Sequence, residues 1–260
     1  MQETIQAHLY DFPKYYDLVY GSDWKAEVDF LEECFARFAA GKVKRIFEPA
    51  CGTGRLMFRM ARAGYEVSGL DLNAKAVDFC NARLEKAGYK ATAFVADMAD
   101  FTLKRPVDAA FNTINSFRHL PTEAQALAHL QCVARALRKG GIYVLGLHLT
   151  PTKGAPLETE SWAARRGNLS VLSKLWVVGR DRRRREERVG MSFDVYTPTR
   201  QFRIEDESAF RMYTAQQMDL LLNEVDDFEL TSVHDFAYDA SEPVEIGPET
   251  EDVVYILRRR

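Results

Sequence analysis

Residues 48–54 read Glu-Pro-Ala-Cys-Gly-Thr-Gly, where the apolar run VKRIFE ends and the amphipathic run RLMFRMARA begins. Gly52 and Gly54 allow a tight turn and a close approach of backbone to a ligand, and a helix opening near Arg55 would aim its first N–H groups at that ligand. Asp71 closes the next apolar run, about 20 residues on, where a carboxylate can accept hydrogen bonds from both hydroxyls of a ribose. A lone Gly-x-Gly says little. Strand before, helix after and acid at that distance together indicate an adenosine-containing cofactor. Position 57, the third glycine of a dinucleotide fingerprint, is Met57, and no phosphate-loop lysine follows Gly54. Glu48 adds a negative charge, so the expected ligand is cationic and phosphate-free, which disfavours a nicotinamide dehydrogenase.

These residues need a scaffold that brings them to one edge. From residue 43 short apolar runs alternate with helical patterns: VKRIFE, RLMFRMARA, YEVSGLD, AKAVDFCNARLEKAG, ATAFVAD, then VDAAFNTI, TEAQALAHLQCVARALRK and GIYVLGLHL. Five strands alternating with helices predict an α/β, Rossmann-like, doubly wound parallel sheet whose strands end along one edge. The last helix of this series is expected to run through Lys139, before Gly140 and Gly141. The C-terminal runs AQQMDLLLNEV, DFELTSVHDFAY and EDVVYILRRR predict a helix and two further strands, for seven in all. Residues 1–40, with Tyr10, Tyr15, Tyr16, Tyr20 and Trp24, predict a helical cap over that edge. Residues 151–212 predict a small inserted antiparallel sheet on the acceptor side, NLSVLSKLWVVG, ERVGMSFDVYT and RQFRIEDESAFRMYT alternating as half-buried strands do. The main domain is then 41–150 with 213–260.

Glu48 to Gly54, Gly69-Leu70-Asp71, Ala96-Asp97-Met98 and Asn112 to Leu120 resemble the ordered motifs of class I S-adenosylmethionine-dependent methyltransferases. The resemblance covers about residues 10–149. It implies that the loop Ala50, Cys51, Gly52 and Gly54 holds the methionine portion of S-adenosylmethionine and that Asp71, with Leu72 beside it, holds the ribose. It also implies that Asp97 and the Met98 backbone meet the adenine, and that the Thr113 carbonyl faces the cofactor's amino group. The run NSFRHL, 115–120, is similar to glycine-type N-methyltransferases. YYDLVYG and the inserted sheet resemble sugar-amine N,N-dimethyltransferases, in which the positions matching Tyr16 and His119 lie at the reacting amine. The resemblance therefore implies a small amine acceptor, with Tyr16 and His119 as catalytic residues and Tyr16 also at the cofactor. Asn115, Arg118 and His119 are expected around the acceptor, and so are Arg211 and Tyr213 at the end of the inserted strand, for which a half-exposed strand end is the alternative reading. S-adenosylhomocysteine would be the product.

Composition sets the outer bounds. The chain has 260 residues, 47% of them hydrophobic, and a net charge of -3, which suits a globular protein acting on small molecules better than one built to hold nucleic acid. Cys34, Cys51, Cys80 and Cys132 lie far apart without a C-x-x-C pair and are expected to be reduced thiols, and no metal site is expected. His129 falls inside a helical run and is expected to be structural. The arginine run from Arg180 to Arg188 reads as a solvated hairpin tip. Neither a signal peptide nor a membrane segment is apparent, so the expected location is the cytoplasm. A homodimer is compatible with all of this. An RNA methyltransferase, or a non-catalytic cofactor-binding regulator, remain the rival readings.

Overall fold

The computed structural model describes residues 3–154 and 158–260. It opens with a short strand, β1 (Glu3–Gln6), a single 3-10 turn (Leu9–Asp11), and helices α1 (Pro13–Tyr20) and α2 (Lys25–Phe38). Alternation follows as β2 (Arg45–Pro49), α3 (Arg55–Arg62), β3 (Glu66–Asp71), α4 (Ala74–Lys86), β4 (Ala93–Val95) and β5 (Val107–Asn112). A 3-10 turn (Ser116–His119), α5 (Glu123–Ala136) and β6 (Leu137–His148) complete the series. Then come β7 (Thr159–Arg166), β8 (Leu169–Asp181), β9 (Glu186–Tyr196), β10 (Gln201–Arg211), α6 (Ala215–Asn223), β11 (Phe228–His234) and β12 (Asp252–Arg259).

Seven strands form one sheet in the order β11-β12-β6-β5-β2-β3-β4. Strand β2 pairs in parallel with β3 on one side and β5 on the other, so the chain winds outward in both directions from β2. The carboxyl ends of β2 and β5 therefore part company with their connections running to opposite faces, which leaves a crevice there. Successive residues of β6 and β12 explain why both faces must be covered. Tyr143, Leu145, Tyr255 and Leu257 join the core under α5 and α6, while Ile142, Val144, Val254 and Ile256 join the core under α2, α3 and α4. Helix starts are fixed locally: the Asn73 side chain accepts from the N–H groups of Lys75 and Ala76, and Thr214 and Gln217 close a capping box on α6.

The second sheet has the order β1-β10-β9-β8-β7. Strands β7 to β10 are antiparallel neighbours, whereas β1 joins β10 in parallel. The N-terminal segment thus contributes a strand to this sheet as well as the expected helices. A third core cluster, including Leu18, Val19, Val171, Phe193 and Ile204, holds α1 against it. The helix expected through Lys139 stops at Ala136, because Leu137 is already extended (ψ 146°) and pairs with Val107. At the β8–β9 tip the Asp181 carboxylate accepts from the N–H groups of Arg183 and Arg184, a local hydrogen-bonded turn that leaves residues 182–184 exposed.

Candidate active site

The loop after β2 carries the strain that its glycines were expected to absorb. Gly52 (φ +52°) and Gly54 (φ +68°) are left-handed, and so is Ala50 (φ 55°). A Cβ at Gly52 would meet open space, whereas one at Gly54 would collide with Cys80 Sγ. The first position faces open space, and the second is closed by packing. The Asp71 carboxylate clamps this loop: Oδ2 accepts from Gly52 N–H (2.8 Å) and Oδ1 from Asn73 N–H (2.8 Å). Burial holds the Asp71 pKa above the usual carboxylate range, so a further hydrogen-bond donor arriving at its remaining lone pairs would be welcome.

Glu48 differs from its expected part as a charge facing the ligand. It is buried, its Oε2 accepts from Met57 N–H (3.2 Å), and desolvation pushes its pKa well above the ordinary value. Its work is therefore to hold the start of α3 beneath the loop. The charge at this place is Glu27 of α2, which forms a bidentate pair with Arg55 and accepts from the Thr113 hydroxyl (2.6 Å). The Thr113 carbonyl accepts from the Tyr238 hydroxyl (3.3 Å). Cys51 and Cys80 are buried free thiols in mutual contact under the loop.

Tyr16 of α1 lies over this crevice. No hydrogen bond ties its hydroxyl among the described residues, and Arg55, Asp71 and Glu27 are the charged groups that act on it. Tyr16 packs on Tyr10 (5.4 Å between ring centroids) and Tyr20 (4.7 Å). The Tyr10 hydroxyl shares a hydrogen bond with His119 Nε2 (3.1 Å), so Tyr16 and His119 are joined through Tyr10 rather than directly. His119 also packs on Phe210 (4.5 Å), and burial lowers its pKa to about 4. The imidazole is neutral at physiological pH and a weak base. His129 is fully buried, bridging the Met98 carbonyl (2.9 Å) and the Tyr143 hydroxyl (2.8 Å).

Beyond the carboxyl ends of β5 and β6 the two sheets line an open cavity of about 210 Å³. Asn115, Arg118, His148, Glu160, Trp176 and Asp252 are among its walls, with Glu158, Glu187 and Glu251. Asn115 and Arg118 were expected at the acceptor and stand here. His119, Arg211 and Tyr213 do not line this cavity. Arg211 is tied to Glu123 (3.1 Å) and the Pro121 carbonyl (3.0 Å) at the start of α5, and Tyr213 is wholly buried in the core against Phe117. The end of the inserted strand is thus held away from the acceptor cavity, Arg211 by the start of α5 and Tyr213 by the core.

Residues 46–141 match the family model for a methyltransferase domain. That segment, rather more than a third of the chain, is thus similar to a methyltransferase domain. A methyltransferase of Geobacillus sp. (strain WCH70) is 24% identical over 147 residues, 56% of this chain and 58% of that protein, so the match spans little more than half of this curated relative. An S-adenosylmethionine-dependent methyltransferase from Clostridium acetobutylicum has a similar solved structure (TM-score 0.77, 17% identity, 97% of this chain and 99% of that one). So does CalS10, an amino pentose methyltransferase from Micromonospora echinaspora solved with S-adenosylmethionine (TM-score 0.72, 18% identity, all of both chains). At these identities the two likenesses speak for the fold, including the second sheet.

The residues of the methyltransferase domain fit an adenosine-bearing sulfonium. Open space stands over Gly52, the Asp71 carboxylate has acceptor capacity to spare, and Leu72 is left 74% exposed at the strand edge, an apolar surface with nothing of the chain upon it. Asp97 is exposed beside it, its Oδ1 accepting from Ala99 N–H (2.8 Å). Three residues that matter here carry no local sequence signal: Tyr10, which links Tyr16 to His119, Glu27, and His148. Each acquires its partner from a distant part of the chain. Only the crowding of tyrosines near residues 10–20 pointed toward the first.

Proposed function

We propose that the chain transfers a methyl group from S-adenosylmethionine to the nitrogen of a small amine by direct in-line displacement. The observation that carries the amine is the charge of the cavity wall. Arg118 and Arg180 are both spent on Glu187 (each 2.6 Å), which leaves Glu158, Glu160, Glu251 and Asp252 as an electronegative lining. Such a lining attracts an ammonium and repels the phosphates of an RNA acceptor. The likeness to CalS10, whose acceptor is an amino pentose, supports the same chemical class.

The cofactor supplies a methyl on a positively charged sulfur, already an able electrophile. The chain's residues then have to position and exclude. Gly52, Asp71, Leu72, Asp97, Met98 and Thr113 hold the cofactor against the strand edge. Tyr16, Tyr20 and Tyr10 of the N-terminal segment cover the crevice and keep water out. Fixing a nucleophile in line with a reacting carbon can supply about 7 to 11 kcal/mol of the barrier in well-oriented systems. No covalent intermediate is needed.

Formation of S-adenosylhomocysteine, followed with amino sugars and with their hydroxyl counterparts, tests this reading. Turnover with amines and none with the matched alcohols is expected. Turnover with alcohols alone, or with tRNA and no small molecule, would replace the acceptor class.

A further inference from the structure

We infer that His148, oriented by Asp252, is the base that takes the proton from the acceptor's ammonium group. The inference rests on the amine-methyltransferase reading above. His148 ends β6 at the carboxyl edge of the sheet, and its backbone N–H donates to Asn115 Oδ1 (2.8 Å) in the loop that follows β5. Its ring leans edge-on against Phe236 (5.1 Å) and its Nδ1 lies 2.6 Å from Asp252 Oδ1. Both residues line the cavity.

The carboxylate decides the tautomer. A ring whose Nδ1 faces a carboxylate keeps its proton on Nδ1, and the lone pair is then on Nε2. Among the described residues nothing hydrogen-bonds to that Nε2, and the side chain is 29% exposed. His119 is the opposite case, because its Nε2 is engaged by Tyr10 and burial has made it a weak base. The groups that face His148 are Asp252 and Glu251 from the start of β12 and Glu160 from β7, all acidic, with Asn115 from the β5 loop. Glu160 is half-buried on the wall opposite and stands where a cation would be drawn in.

An amine arrives mostly as its ammonium and cannot attack until a proton leaves. In the step assigned to His148, one N–H bond of the ammonium breaks, its electron pair stays on nitrogen, and the proton forms a bond to Nε2. The freed lone pair is the nucleophile for the methyl carbon. The imidazolium, charge-paired with Asp252, then returns its proton to water. Asp252 touches no substrate and acts as a positioning residue. A base so placed contributes about 10²–10⁴-fold in related proton transfers.

Histidine side-chain 15N spectra of the full chain loaded with S-adenosylhomocysteine test this, with 3-amino-3-deoxyglucose as the probe and glucose as its uncharged control. His148 should show a protonated Nδ1 and a bare Nε2, and the amine should shift Nε2 where glucose does not. In Asp252→Asn the tautomer preference should be lost while the fold and the affinity for S-adenosylhomocysteine stay as they were. His148→Ala should lower the rate of methyl transfer to the amine at least 10²-fold, again with cofactor affinity unchanged. An Nε2 that ignores the amine, a protonated Nε2 in the wild type, or a wild-type rate in His148→Ala would overturn the assignment. Failure to bind S-adenosylhomocysteine at all would instead overturn the reading beneath it.

Discussion

In the crevice at the end of β2 the buried acids are held by partners within the fold, and in the cavity beside β5 several acids are left open. Glu27 is matched by Arg55 and Thr113, Asp17 by Arg83 and Thr53, and Asp71 by two backbone N–H groups. In the cavity, Glu160 and Glu251 have no ion pair among the described residues, and Glu158 has only a long contact to Arg180 (3.8 Å). A crevice whose charges are paired within the fold, with spare acceptor capacity left only on Asp71, presents mainly shape and backbone, which suits a ligand whose identity never changes. A cavity built from unpaired carboxylates selects by charge, which suits an acceptor class.

This contrast predicts very different costs for removing an acid on either side. Glu27→Ala leaves the Arg55 guanidinium, 15% exposed, without its partner and should cost about 3–5 kcal/mol, the usual penalty for breaking a buried pair. Thermal unfolding should register this as a fall on the order of 10 °C. Glu160→Gln, in contrast, should stay within about 0.5 kcal/mol of the wild type. Equal losses in the two variants would erase the distinction between a closed crevice and an open cavity.

A second, smaller effect concerns pH. Burial lowers the pKa of His119 to about 4 from an ordinary 6.5, so below 6.5 the unfolded chain takes up a proton that the folded one refuses. The stability this residue contributes is full above pH 6.5 and is lost as pH falls toward 4, at no more than about 1.4 kcal/mol per pH unit. The gap in melting temperature between wild type and His119→Asn should therefore narrow across that window. A gap independent of pH would mean that His119 is open to solvent and free to serve as a base after all.

What the sequence disclosed follows the same division. The turn at 48–54 and the acid at 71 were legible because left-handed glycines and strand ends closed by an acid leave local marks in the sequence. The alternation of strands and helices was legible because both faces of a parallel sheet must be apolar. Strand β7 was not, since TESWAARR lies almost wholly at the surface and shows no alternation of apolar residues. Nor could the sequence pair Glu27 with Thr113, 86 residues away, or His148 with Asp252, 104 residues away. Those contacts exist only because α2 and β12 flank the central strands. Glu48 was assigned by its position in a motif, whereas its burial, which decides its charge, is a property of the fold.

Everything on the acceptor side depends on the crevice being the cofactor site, and calorimetric titration with S-adenosylhomocysteine tests that most directly. The wild type should bind one equivalent, and Asp71→Ala should lose about 1.5–3 kcal/mol of that binding, roughly ten- to a hundredfold in Kd, as befits hydrogen bonds to a charged acceptor. Glu160→Gln, in the wall of the neighbouring cavity, should bind as the wild type does. An Asp71→Ala protein that is folded and binds S-adenosylhomocysteine with undiminished affinity would contradict the assignment of the crevice.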